Sequence, residues 1–178
     1  MSGSPIGIFD SGVGGLTVCK AIRDLLPGEH LIYFGDTARF PYGEKSREQL
    51  ELYSRQITAF LEAVPCKLIV VACYSATSAA LPALQREFRT PIIGVVMPGA
   101  RAAVATSRYR KIGVLATEAM VASGAYPRAI GGLDSGAEVI QQACPGLVDF
   151  IEAGDVASQA LADAVSGFTE PLKARRPD

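Results

Sequence analysis

The stretch Ile6–Val18 reads IGIFDSGVGGLTV. A short apolar run, Ile6 to Phe9, breaks at Asp10-Ser11-Gly12, and apolar residues then recur at helical spacing at Val18, Ile22, Leu25 and Leu26. That order is strand, glycine turn, helix, and Pro27-Gly28 supplies the stop. The same unit repeats outward. His30 to Gly35 reads as a second strand, and Asp36 to Gly43 as a loop. Ser46 to Glu62 reads as a long amphipathic helix, opened by Ser46 with Gln49 three residues on, the pattern of a capping box. Lys67 to Cys73 (KLIVVAC) is apolar after its first residue, as a strand covered on both faces must be. A helix over Ser75 to Phe88 and a strand over Pro91 to Val96 follow. Strand and helix alternate throughout, so the expected class is α/β with parallel sheets.

After Met97-Pro98-Gly99 the pattern restarts. Ala100 to Ser107 has helical composition, Lys111 to Ala116 is strand-like, and Thr117-Glu118 opens a loop and a helix. A strand-like stretch from Val139 leads to Cys144-Pro145, and a helix begins over Leu147 to Glu152. The expected organisation is an N-terminal α/β lobe over residues 1–97 and a second, partial α/β lobe over 98–178. Lys173 to Asp178 reads as a solvated tail.

The 178 residues are 49% hydrophobic and carry a formal net charge of −1, a globular composition without the basic footprint of a nucleic-acid binder. No apolar run is long enough to cross a membrane, and the N-terminus lacks a basic-then-apolar signal pattern, so the expected location is cytoplasmic. Cys19, Cys66, Cys73 and Cys144 form no CxxC pair, and the single histidine is His30. Reduced thiols and no metal site are expected.

Three segments carry candidate chemistry. In Asp10-Ser11-Gly12-Val13-Gly14-Gly15 the glycines allow a tight turn at a helix start, but the spacing is not the GxGxxG dinucleotide fingerprint. An Asp-Ser pair at the C-terminal end of a strand sits where open α/β sheets bind ligands. In Pro41-Tyr42-Gly43, backbone amides beside the tyrosine are placed to meet a carboxylate, although Pro-Tyr-Gly is more often a simple turn. In Ala72-Cys73-Tyr74-Ser75, the cysteine lies at a switch from strand to helix. The helix N-terminus is expected to lower its pKa and make it a usable base. Cys19, Cys66 and Cys144 read as inert.

Three strings in register, IGIFDSGVGGLTV (Ile6 to Val18), YFGDTARFPYGEKS (Tyr33 to Ser46) and VVACYSATSAAL (Val70 to Leu81), resemble the glutamate racemases. The likeness continues through Ile93 to Arg101, Lys111 to Tyr126 and the Ala143-Cys144-Pro145 block to Glu152. It implies a cofactor-independent isomerase that interconverts L- and D-glutamate for peptidoglycan synthesis. Its fold would be two α/β lobes with the active site in the cleft between them, assembled as a homodimer. It implies that Cys73 is one of two catalytic thiols on opposite faces of the substrate α-carbon, with Asp10 as its acidic partner. Ser11, Tyr42, Gly43, Tyr74, Ser75 and Thr117 then line the substrate site, and Glu152 matches the carboxylate that supports the second half-site. Proton exchange at a stereocentre needs a base on one face and an acid on the other. Without a cofactor to absorb the carbanion charge, the site must supply preorganised donors and exclude water.

The sequence departs from the family at specific places. The second thiol of the family lies in a Gly-Cys-Thr-His-Tyr-Pro segment that is absent here, so the resemblance implies a C-terminal truncation with the second lobe and the closing part of the first incomplete. Apolar surface on the Val70-side strands and on the second lobe is then expected to be exposed. Tyr74 stands where the family usually has Asn, Ala116 replaces a usual Gly, and Met120 a common Thr. Two alternative readings follow: a non-catalytic racemase-like protein that binds a small dicarboxylate or a protein such as DNA gyrase, and a racemase for another acidic amino acid.

Overall fold

The computed structural model describes residues 3–177. It divides into two compact units, Met1–Val95 and Val96–Asp178.

The first unit contains β1 (Ile6–Asp10), α1 (Leu16–Leu25), β2 (Leu31–Gly35), a 3-10 turn (Tyr42–Glu44), α2 (Arg47–Ala63), β3 (Leu68–Val71), α3 (Tyr74–Glu87) and β4 (Ile92–Gly94). All its pairings are parallel, in the order β2-β1-β3-β4. From β1 the chain steps outward to β2, then crosses back over β1 to reach β3. Because parallel crossovers are right-handed, steps in opposite directions put their helices on opposite faces of the sheet. Accordingly Val18, Cys19 and Ile22 of α1 pack on Ile6, Ile8, Val70 and Ala72. On the other face, Leu61 of α2 and Cys66 come so close to Gly7 that a Cβ there would lie 3.3 and 3.1 Å from them.

The local signals in the sequence act as read. Ser46 caps α2 in a complete capping box: its hydroxyl accepts from the Gln49 amide (3.3 Å) and its own amide donates to the Gln49 side chain (3.0 Å). Strand β3 is buried after its first residue, and Ile69 and Val71 are wholly inaccessible, as are Ile8 and Phe9 on β1. Each such side chain contributes about 1.5–3 kcal/mol through burial. Helix α1 differs: none of its residues is fully buried, and Leu16, Leu25 and Leu26 are exposed. Val70 itself is buried. The apolar exposure on its side of the sheet falls on α1 and on Ile93 of β4, the strand neighbour in register with Val70.

Glu62, near the end of α2, closes this unit at the α3–β4 connection. One of its oxygens accepts from the amides of Arg89 and Thr90 (both 3.0 Å) and from the Thr90 hydroxyl (3.1 Å). The Thr90 amide above all, with the Thr90 hydroxyl and the Arg89 amide, holds its carboxyl below the usual range. As pH falls, the unfolded chain takes up the proton first, so this stabilisation is present above the ordinary carboxylate pKa and lost as pH falls through the depressed one. Glu62→Gln keeps an acceptor without the charge and should flatten the acid limb of melting temperature against pH between about pH 5 and 3. An acid limb identical to that of the parent would show that other carboxylates carry it.

The second unit contains α4 (Val96–Thr106), β5 (Lys111–Ala116), α5 (Glu118–Ser123), α6 (Ala125–Leu133), β6 (Glu138–Ala143), α7 (Leu147–Glu152) and α8 (Gln159–Lys173). Strands β5 and β6 pair in parallel from Lys111 with Glu138 to Ala116 with Ala143. Ile112 and Val114 point into a core shared with Ala100 and Ile130. Helix α4 begins four residues earlier than its composition indicated and takes in Pro98 and Gly99. Pro98 falls in the first turn, where its missing N–H costs nothing. The expected strand over Pro91 to Val96 is shortened to β4 for the same reason, since Val96 already belongs to the helix.

The solvated reading of the tail holds for Lys173 to Arg176, which are all exposed, although Lys173 still belongs to α8. The stretch is tethered at two points: Arg175 makes an ion pair with Glu138 at 2.5 Å, and Pro177 lies against Gly113. Asp178 lies outside the described residues.

Candidate active site

Strands β1 and β3 are neighbours, yet their following connections leave in different directions. Such a switch point opens a crevice at the carboxyl ends of the strands, where open α/β sheets bind ligands. Asp10-Ser11 ends β1 and Cys73 follows β3, so topology brings two of the sequence's three candidate segments to this crevice.

Asp10 is buried, and its carboxylate accepts from the amides of Gly15 (2.8 Å) and Gly12 (3.4 Å), which folds the glycine turn around it. Gly15 is required there: a Cβ would stand 2.6 Å from the Asp10 Cβ and 3.0 Å from that of Ala72. The Gly12 carbonyl accepts from the Tyr33 hydroxyl at 2.8 Å.

Cys73 is the N-cap residue of α3, and its sulfur accepts from the Ala76 amide at 3.5 Å. The Cys73 thiol donates to the Ser11 hydroxyl at 3.9 Å, which ties the ends of β1 and β3 together. The expected lowering of its pKa does not occur. Burial and then the Asp10 charge push the thiol up to about 12, against the smaller opposing effects of the Ala76 amide and Ser11. Amide donors at a helix end do favour a thiolate, but here they are outweighed by loss of water and a nearby carboxylate. Both effects favour the neutral thiol over the thiolate at Cys73.

Tyr42 and Gly43 form the 3-10 turn after β2. The Tyr42 side chain is 1% exposed and its hydroxyl donates to the Asp36 carboxylate, so the ring anchors the turn from inside. Only its backbone remains for a ligand. Burial and Asp36 hold the phenol well above its usual range. Ser75, the second residue of α3, is buried, whereas Tyr74 at the first position is 45% exposed. Thr117 and Glu152 belong to the second unit. Thr117 caps α5 by accepting from the Met120 amide at 3.3 Å, and Glu152 is the half-buried last residue of α7.

A family model described as Asp/Glu/Hydantoin racemase matches residues 6–176. The chain belongs to that family. A glutamate racemase of Corynebacterium diphtheriae is 47% identical over the whole chain, which spans 67% of it. The solved glutamate racemase isoform of Bacillus anthracis superposes with a TM-score of 0.94 at 39% identity, over 100% of this chain and 67% of that one. The glutamate racemase of Francisella tularensis solved in complex with D-glutamate gives 0.92 at 32% identity, over 99% of this chain and 66% of that one. This racemase-family chain spans 60–67% of the length of the relatives it matches.

The other thiols of this racemase-family chain have structural places. Cys66 is buried against Gly7, and Cys144 is buried with its thiol on the Gln142 carbonyl; burial raises both. Cys19 packs on the α1 face of the sheet. Among the described residues no group of three or more His, Cys, Asp or Glu could hold a metal ion. Sequence reasoning passed over Arg39, which lies over the Tyr53 ring and pairs with Asp36, although it stands inside the YFGDTARFPYGEKS string. Its contacts come from α2, and the spacing of Tyr53 and Gln56 was the available signal for a shared helix face.

Proposed function

We propose that this chain carries the Cys73 half of a cofactor-independent glutamate racemase site. In this reading the Cys73 thiol exchanges a proton with the substrate α-carbon, with Asp10 beside it as its acidic partner. Ser11, Ser75 and the backbone of Tyr42 and Gly43 hold the amino acid, while Tyr74 flanks it. Thr117 and Glu152, which lie in the second unit, enter this reading by likeness to the family alone. The observation that carries the reading is the Cys73–Ser11 contact at the switch point, with the Asp10 carboxylate behind it. A neutral thiol is the form needed to protonate a carbanion, and the α-ammonium of a bound amino acid supplies the positive charge that would stabilise a thiolate there for the reverse step. Homodimer assembly, a cytoplasmic setting and supply of D-glutamate to peptidoglycan belong to this proposal by likeness to the family.

Racemisation needs a second acid–base group on the opposite face, and the other three thiols of this sequence are engaged in the fold. The 178-residue chain should therefore exchange the α-hydrogen of one glutamate enantiomer for deuterium, read by proton NMR, without loss of optical rotation. Cys73→Ala should abolish the exchange. Decay of rotation to zero would sink the half-site reading. The thiol's high pKa favours one other reading, a racemase-like protein that binds a small dicarboxylate or a protein such as DNA gyrase without chemistry. Glutamate binding with no exchange above the Cys73→Ala background would favour it.

A further inference from the structure

Asp36 is 5% exposed, and its position is tied to the site at both ends. Its amide donates to the Asp10 carbonyl at 2.9 Å, and its carboxylate accepts the Tyr42 hydroxyl. The same carboxylate pairs with Arg39 Nε at 2.6 Å. Arg39 is held in turn by α2: its guanidinium stacks over the Tyr53 ring at 4.3 Å and its Nη1 donates to Gln56 Oε1 at 2.6 Å. Tyr53 and Tyr42 also pack ring to ring, 5.9 Å between centroids. One guanidinium thus joins the long helix, the buried carboxylate and the tyrosine of the turn, and Tyr42 lies within electrostatic reach of Cys73.

We propose that Arg39 is a positioning residue for the substrate-binding turn, acting through Asp36 and Tyr42 to hold the backbone at Gly43 where a substrate carboxylate is met. This rests on the glutamate reading of the site. The physical reason is the buried charge. With Arg39 present, the Asp36 carboxylate has a cation and a phenol to satisfy it. Without the guanidinium, a single neutral donor remains, and turning out to water becomes the better state for the carboxylate. Tyr42 would then lose its anchor and the turn its geometry. The flat fork of arginine is needed because it must bond the carboxylate and an amide oxygen while stacking on a ring, which an ammonium cannot do together.

Two variants of the 178-residue chain test this by NMR. The Lys45 amide, which donates to the Tyr42 carbonyl at 3.2 Å, reports closure of the turn, and the Gly43 amide reports glutamate. Arg39→Met should speed exchange of the Lys45 amide by about tenfold or more and weaken the glutamate-induced shift of Gly43 by a similar factor, the loss expected for a hydrogen bond to a charged group. The melting temperature of the whole chain should move little. Arg39→Lys keeps a charged side chain and should melt with the parent, but should not recover Lys45 protection. Unchanged Lys45 protection in Arg39→Met, or full recovery of it with lysine, would overturn the proposal. Should the parent chain ignore glutamate while Arg39→Met still frees the turn, the positioning role stands and the glutamate reading falls.

Discussion

In a chain whose other cysteines are replaced (Cys19→Ser, Cys66→Ala, Cys144→Ala), Cys73 should react with iodoacetamide at pH 8 on the order of a hundredfold more slowly than a free cysteine thiol. Alkylation consumes the thiolate. With its pKa pushed up to about 12, Cys73 holds very little of that form at pH 8. The higher intrinsic reactivity of a more basic thiolate recovers part of the deficit, and the remainder is the expected slowing. The rate should climb with pH beyond 10 without a plateau. Asp10→Asn keeps an acceptor for the Gly15 amide but removes the negative charge, so thiolate becomes less unfavourable and the pH 8 rate should rise. A Cys73 that reacts like a free thiol would show that amide donors at the α3 start outweigh burial, the expectation drawn from local sequence. A resting neutral thiol has a use in the proposed chemistry: it is protected from oxidation and adventitious alkylation until the α-ammonium group of a substrate arrives.

Gly15→Ala should destabilise the chain by about 1–3 kcal/mol, the range for overpacking a well-filled site, measured by urea unfolding. The added methyl would meet the Asp10 Cβ at 2.6 Å, the Tyr33 hydroxyl at 2.9 Å and the Ala72 Cβ at 3.0 Å. Two of these are Cβ atoms, attached directly to backbone, and cannot rotate away. Relief must come from moving the glycine turn, which breaks the Gly15 amide bond to Asp10 (2.8 Å) and disturbs the carboxylate next to Cys73. Gly131→Ala is the matched control. It lies in α6 with nothing within 4 Å of its added Cβ, so it should be neutral or stabilising by up to about 1 kcal/mol. Equal stability of Gly15→Ala and the parent would refute the packing account of this turn.

Much of the fold was legible because its signals are local. The capping box at Ser46, the proline-glycine stop after α1 and the unbroken apolar run of β3 each concern residues within a few positions of one another. The boundary at α4 was misread because proline usually signals a break, yet in a first helical turn it is harmless. The C-terminal residues read as solvated because Lys173, Arg175 and Arg176 are charged, and these side chains are exposed in the fold. The two tethers of this stretch, Glu138 of β6 to Arg175 and Gly113 of β5 to Pro177, are distant in sequence and carry no local signal.

At the site the division is sharper. The sequence by itself determined that Asp10-Ser11 and Cys73 stand at strand ends before helices, and which thiol was the candidate. Strand order 2-1-3-4 placed them at one switch point, a consequence of pairing between segments some sixty residues apart. Only the tertiary structure decided the state of Cys73, because burial and the Asp10 charge depend on what surrounds the sulfur and not on its place in a helix. It likewise made the Tyr42 side chain an anchor for its turn, and brought Arg39 onto the same Asp36 carboxylate. Local propensity acts along the chain, whereas desolvation and charge pairing act through space, and at Cys73 the second outweighs the first.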